Sequence, residues 1–280
     1  MNLAVFFDRS PGTIGEYFEA ALRSLGHTVE HFSTSQADAC RGRYDVYLRI
    51  DHGDYSCEFP SRLRPSAFYV VDAHLAKSWK SIRRQAPHYD VIFCAQRLAA
   101  GALPRAHWVP MACDLTVHSR RPGPLHYDVA FVGNDGGVPR KFYLQELRER
   151  YPNSFIGKAP HIQMAEIYSQ AKIGFHYIEC TSPLKDMVSM RVYEILASGT
   201  LLCANALEAQ AFEQVGFTDR RELVIYHQPE ELFALIDYYL RHEEERQRIA
   251  EAGFRCVRQH HTYQHRAAQI VKKLQEQRGA

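Results

Sequence analysis

Apolar residues in the first half of the chain come as short β-type runs separated by stretches with helical spacing. "LAVFF" (3–7) leads into the turn "DRSPGTIG" and then into "EYFEAALRSLG", an amphipathic helix that Gly26 stops. "HTVEHF", "YDVYLRI" (44–50), "AFYVV" (67–71) and "DVIFCA" (90–95) are further strand candidates. The polar "SRRPGPLH" (119–126) has linker chemistry, and "YDVAFVG" restarts the alternation after it. There follow a helix at 139–150, "SFIG", a helix at 161–170, "KIGFHYI", a helix at 187–198, "TLLCA", a short helix near 207–213 and "ELVIY". Two long helical segments, 230–251 and 254–277, close the chain. Such alternation predicts an α/β protein with parallel sheets covered on both faces. The expected domains are 1–118 and 127–253, joined by the linker 119–126, with a closing helix at 254–280 packing back on the first domain. Ligands are expected at the C-terminal ends of the strands and in the cleft between the domains.

Composition changes this picture little. The 280 residues are 46% hydrophobic and 24% charged, as in soluble globular proteins. No apolar run reaches the roughly 18 residues of a membrane span, and the N-terminus does not read as a signal peptide, so a cytoplasmic protein is expected. The seven cysteines include no C-x-x-C pair and sit partly in apolar runs, which reads as core filler and argues against zinc. The 15 histidines form no H-E-x-x-H cluster. A net charge of +2 makes nucleic acid an unfavoured partner but leaves it open.

Three stretches could carry chemistry. In "FFDRSPGTIGEYFEAAL", Gly12 and Gly15 flank Thr13 at a strand-to-helix turn, which serves either an anionic ligand at the helix N-terminus or a plain turn capped by Thr13. In "FVGNDGGVPRKFYLQEL", Arg140 and Lys141 follow a glycine-rich strand end, placed for a phosphate clamp or for solvated helix charges. In "DMVSMRVYEILASGTLLCAN", Val188, Val192, Ile195 and Leu196 form a core-facing stripe, with Glu194 and Arg191 on the other side. Asp186, eight positions before Glu194, falls at the expected helix start. The two acids suit the ends of one extended ligand, with N–H groups near Val188 to Met190 holding a phosphate between them. Equally, Asp186 is an N-cap and Glu194 pairs with Arg191 three positions back. Spacing does not decide.

Taken in order, these pieces resemble a known family. "RVYEILASGTLLCAN" resembles the signature of GT-B glycosyltransferases of group 1 type, closest to the CgeB-like branch. "DVAFVGN" followed by Arg140, "YSQAKIGFHYI", the C-terminal tail with His261-Thr262-Tyr263 and Arg266, and "WVPMACD" are similar to that branch at the expected places. The resemblance implies two Rossmann-like domains facing a cleft. It implies a donor site drawn from Gly12, Thr13, Gly15, Asn134, Arg140, Lys141, His176, Asp186, Ser189, Met190 and Glu194, with Glu194 on ribose hydroxyls. The family's two acids are usually both Glu, so Asp186 is one methylene short.

The same resemblance implies a sugar transferred from a nucleoside-diphosphate sugar, UDP-linked, with no tightly bound cofactor or metal. The acceptor is a hydroxyl of an unspecified glycan, lipid, protein or small molecule. A proton acceptor is sought after a central strand of the first domain, where "YVVDAHLAKSWK" offers Asp72 and His74, with His74 favoured; "RIDHGD" offers Asp51, His52 and Asp54. Lys77, Lys80, Arg83 and Arg84 share one helical face, which is either solvated or meets an anionic membrane surface. The competing readings are a sugar-nucleotide epimerase or hydrolase on the same scaffold, and a non-catalytic nucleotide-sugar or nucleic-acid binding module.

Overall fold

In a computed structural model that describes residues 1–278, the chain divides into two compact units. The first comprises 1–111, 179–188 and 263–280; the second comprises 112–178 and 189–262. The stretch expected as linker, 119–126, therefore lies inside the second unit.

The first unit is built on six strands: β1 (Asn2–Phe6), β2 (Thr28–Phe32), β3 (Val46–Ile50), β4 (Ser66–Val70), β5 (Val91–Cys94) and β6 (Ala106–Trp108). All pair in parallel, in the order β2-β1-β3-β4-β5-β6. Helices α1 (Ile14–Ser24), α2 (Ala76–Gln85) and α3 (Arg97–Ala102) lie between them in sequence. β3 and β4 are buried at every position, which is why they read as unbroken apolar runs rather than alternating ones. The exception is Arg49, buried in β3 but hydrogen-bonded to Gln85, Tyr89 and the carbonyls of Asp54 and Cys57. β6 was not expected; its "AHW" is short and half-buried at the sheet edge, with little hydrophobic signal.

The second unit holds β7 (Tyr127–Val132), β8 (Phe155–Gly157), β9 (Ala171–His176), β10 (Leu201–Asn205) and β11 (Val224–Tyr226), parallel and in the order β8-β7-β9-β10-β11. Its helices are α4 (Arg140–Arg150), α5 (Met164–Ser169), α6 (Met190–Ala197), α7 (Ala211–Gln214), α8 (Pro229–Arg241) and α9 (Glu243–His260). Val129, Phe131, Leu147, Ile173, Phe175, Leu201, Val224 and Ile236 form one core cluster. Gly174 sets how closely α6 approaches the sheet: a Cβ there would stand 2.5 Å from Ile195 Cγ2. The expected helix at 187–198 begins only at Met190, and Val188 belongs to the first unit rather than to the α6 stripe. The expected break before residue 254 is also displaced. Gly253 sits inside α9, where a side chain would meet the carbonyl oxygen of Glu222 at 2.4 Å, so this glycine serves close packing and not a stop.

After α9 the chain returns to the first unit as α10 (Tyr263–Arg278). Tyr263 is fully buried there, stacked on Tyr17 at 5.3 Å and edge-on to Phe18 at 5.1 Å. Arg266 Nε donates to the carbonyls of Pro110 at 2.8 Å and Met111 at 3.2 Å.

Candidate functional site

In both sheets the strand order makes a switch point, between β1 and β3 and between β7 and β9, and ligands of open α/β sheets collect at the C-terminal strand ends there. In the second unit His176 ends β9, Asn134 lies in the loop after β7 and Arg140 opens α4 at the end of that loop.

Glu194 lies on α6 and is only 2% exposed. Arg191 Nη1 donates to its Oε2 at 2.5 Å, and His118 Nε2 stands 3.1 Å from its Oε1. The backbone N–H of Asp114 donates to His118 Nδ1 at 3.1 Å, so Nδ1 is unprotonated and the ring proton on Nε2 points at the carboxylate. Burial alone would raise the Glu194 carboxyl; Arg191 and the His118 hydrogen bond outweigh it and hold the group at about 2. Glu194 is thus a buried, ionised acceptor. Each oxygen has one donor from these two side chains and keeps lone-pair capacity for a ligand hydroxyl. The ion pair with Arg191, one of the two readings open on spacing, is present. His118 was missed: it is 76 positions from Glu194 in the chain, and only the fold joins them.

His176 is buried and its Nε2 lies 3.0 Å from Ser189 Oγ. Burial, reinforced by the charges of Arg191 and Arg140, draws it down to about 3, so it is neutral at pH 7. Ser189 is the N-cap residue of α6, yet its hydroxyl meets His176 instead of capping the helix. The N-terminus of α6, with the positive end of its helix dipole, thus stands next to His176. Arg140 Nη1 reaches the carbonyl of Asn134 at 3.5 Å, while its buried Nε has no partner among the described residues. Gly136, at φ +63°, lies beneath this guanidinium. Lys141 is exposed beside it. Arg140, His176, Ser189, Met190 and Glu194 thus gather on one unit.

Three expectations need correction. Asp186 is not at the start of α6. It belongs to the first unit, buried, where its carboxylate accepts from Gln96 Nε2 at 3.0 Å and from the Leu98 backbone N–H at 2.8 Å, so it caps α3. Gly15 leaves no space for a ligand, because the Phe7 ring fills the place of its side chain, 2.2 Å from an ideal Cβ. Thr13 stands at the N-cap of α1 without capping it, and its buried hydroxyl is unpartnered among the described residues. Gly12, at φ +82°, is the position of that loop which needs glycine.

The first unit concentrates acids after β3 and β4. Asp51 is buried and accepts from Gly53 N, Tyr55 Oη, Val71 N and Asp72 N at 2.7–3.1 Å. Burial and the adjacent Asp51 charge push Asp72 up to about 7. Burial draws His74 down to about 4 against the pull of Asp51, and its Nδ1 is unpartnered among the described residues. His52 Nε2 lies 2.8 Å from Asp8 Oδ2 and 3.1 Å from Thr34 Oγ1, at the ends of β1 and β3. Asp54 is exposed and closes a turn onto Ser56 N. On α2, Lys77, Lys80, Arg83 and Arg84 are all exposed, opposite buried Trp79 and Ile82.

Among the described residues no three His, Cys, Asp or Glu side chains converge on a metal position, and no helix is long and apolar enough to cross a membrane. All seven cysteines are free thiols.

Two parallel α/β units of this kind define the GT-B class. Solved structures share it over nearly the full chain. Anabaena Alr3699/HepE in complex with UDP-glucose matches with a TM-score of 0.66 at 12% identity, covering 98% of this chain and 99% of that one. An alpha-glucosyltransferase in complex with UDP and a 13-mer DNA containing an HMU base matches at 0.71 and 12%, with the same coverage. T4 phage BGT in complex with UDP-glucose matches at 0.62 and 12%, again covering 98% and 99%. The chain belongs to the glycosyl transferase-like family, whose model matches residues 117–272. No curated protein matches its sequence.

Proposed function

We propose that this protein transfers a sugar from a UDP-sugar to an acceptor hydroxyl, within the CgeB-like branch that its motif order resembles. The observation that carries the reading is Glu194: a buried carboxylate held ionised by Arg191 and His118, on a helix whose N-cap residue, Ser189, meets His176. In this reading Glu194 accepts the ribose hydroxyls. The α6 N-terminus and Arg140, with Lys141, take the diphosphate and stabilise the charge that develops on the leaving group, so no metal is assigned to that task. The bound UDP-glucose or UDP of the structural neighbours supports a uridine donor.

The proton of the acceptor hydroxyl goes to Asp72. Its carboxyl titrates near neutrality, whereas His74, at about 4, is too weak a base to be preferred. The His52–Asp8 pair is the second reading of this role, favoured by its 2.8 Å hydrogen bond and by a buried Nδ1 that has no partner among the described residues. The enzyme is assigned to the cytoplasm, with the exposed cations of α2 open to anionic lipid.

A thermal-shift series across UDP, GDP, ADP and their sugars tests the donor. UDP should stabilise the native chain, by about 2.7 kcal/mol at a hundredfold excess over Kd, and Glu194→Gln should reduce the effect. Stabilisation by GDP or ADP alone would reject the uridine assignment. Donor consumption without any acceptor would replace transfer by hydrolysis or epimerisation.

A further inference from the structure

His118, 1% exposed, and Glu194, 2% exposed, meet within the second unit although far apart in the chain. His118 ends a turn that braces itself. Its backbone N–H donates to the Asp114 carbonyl at 2.8 Å, and the Asp114 N–H donates back to the ring Nδ1 at 3.1 Å. The Asp114 carboxylate, itself buried, accepts from the Thr116 N–H at 2.8 Å and from the Thr116 hydroxyl at 2.6 Å. One residue before the turn, the Cys113 N–H donates to the His261 carbonyl at 3.1 Å, which ties it to the C-terminal end of α9.

These bonds set the direction of the ring. With Nδ1 serving as acceptor the proton is on Nε2, 3.1 Å from Glu194 Oε1. Both ring nitrogens are engaged, so neither is left for a ligand. The other carboxylate oxygen, Oε2, is held by Arg191 from the same helix. The two donors differ in kind. Arg191 brings charge on a long side chain that is 25% exposed, whereas His118 brings no net charge but a buried, rigid ring already aimed. Donors from two separate segments, one on each oxygen, fix the plane of the carboxylate. An acceptor fixed before its ligand arrives spares binding the cost of ordering it.

On the reading of Glu194 as the ribose acceptor, we propose that His118 is a positioning residue for the nucleotide. Without touching the ligand, its imidazole presets the Glu194 carboxylate so that both oxygens meet the 2′- and 3′-hydroxyls together. A vicinal diol needs both oxygens in place; a ribose without its 2′-hydroxyl needs one. The loss of His118 therefore falls on the ribonucleotide and spares the 2′-deoxyribonucleotide.

Calorimetric titration of the full chain with UDP and with 2′-deoxy-UDP tests this. The native chain should prefer UDP by about tenfold, the worth of one hydrogen bond to a charged acceptor. His118→Gln carries an amide N–H about as far out as the ring Nε2 and should keep the preference. His118→Asn has the same amide one methylene shorter, able to accept from the Asp114 N–H but too short for Glu194. It should lose about tenfold in UDP affinity, with 2′-deoxy-UDP changed by less than about twofold. Equal preference in the two amide variants would overturn the positioning role. So would an Asn variant weakened equally toward both nucleotides, as a purely structural loss would be. A native chain that binds the two nucleotides equally would instead overturn the ribose assignment of Glu194 itself.

Discussion

Glu194 in the second unit and Asp72 in the first are both carboxylates drawn away from water, yet their environments send them in opposite directions. Glu194 meets a guanidinium and an imidazole N–H, and these overcome burial and hold it at about 2. Asp72 is buried next to Asp51, which accepts from four donors, and burial together with the Asp51 charge raises its carboxyl to about 7. Burial is common to both; the sign of the neighbouring charge decides. The difference separates two tasks, since a permanent anion suits steady hydroxyl binding and a group near neutrality suits proton transfer.

Replacing each acid with its amide is the most direct way to break this comparison. Asp72→Asn should lower kcat by about 10²–10⁴-fold, the worth of general base catalysis, with little change in UDP affinity. Steady-state kinetics alongside calorimetry would check it; a collapse in His52→Ala with Asp72→Asn active would move the role to His52. Glu194→Gln should weaken UDP binding by about 10- to 100-fold, a charged hydrogen bond's worth. Unchanged UDP affinity by calorimetry would sink the ribose assignment.

The pH dependence sharpens the same contrast. If Asp72 must be deprotonated, kcat/KM should rise with pH through an inflection near 7, and Asp51→Asn, by removing the repelling charge, should shift that inflection to lower pH. Stability should respond with opposite signs. The depressed Glu194 stabilises the fold above its unfolded value near 4.5, and that contribution is lost as pH falls toward 2. The raised Asp72 binds its proton more tightly in the folded chain, so it favours folding below its unfolded value near 3.8 and loses that advantage as pH rises through 7. At pH 8, thermal unfolding should therefore show Tm raised by Asp72→Asn and lowered by Glu194→Gln, at about 2–4 °C for each kcal/mol. The smallest effect expected is that of EDTA, which should leave the rate of transfer unchanged if Arg140 and the α6 N-terminus carry the leaving-group charge.

Most strands and the α6-to-β10 passage were legible because a two-sided parallel sheet demands unbroken apolar runs, and "TLLCA" or "AFYVV" can satisfy little else. β6 was not, since an edge strand of three half-buried residues has no such demand placed on it. Gly199 and Gly253 look alike in sequence. One ends α6 at φ +74°, and the other lies within α9 against a backbone carbonyl, a distinction that rests on a contact with residue 222. Asp186 shows the limit most clearly: helical spacing aligned it with Glu194, but residues 179–188 belong to the other unit.

By itself the sequence determined the alternation of elements, the apolar stripe of α6 and the presence of an acid and a basic pair near strand ends. These follow from local periodicity, which each segment carries within itself. The tertiary structure decided that Glu194 is ionised in the core, that His118 donates to it, that Asp186 caps α3 and that burial, with the charge of Asp51, raises Asp72 toward neutrality. Charge state and hydrogen-bond partnership depend on groups tens of residues apart meeting in a low-dielectric setting, and no local pattern encodes which of them will meet.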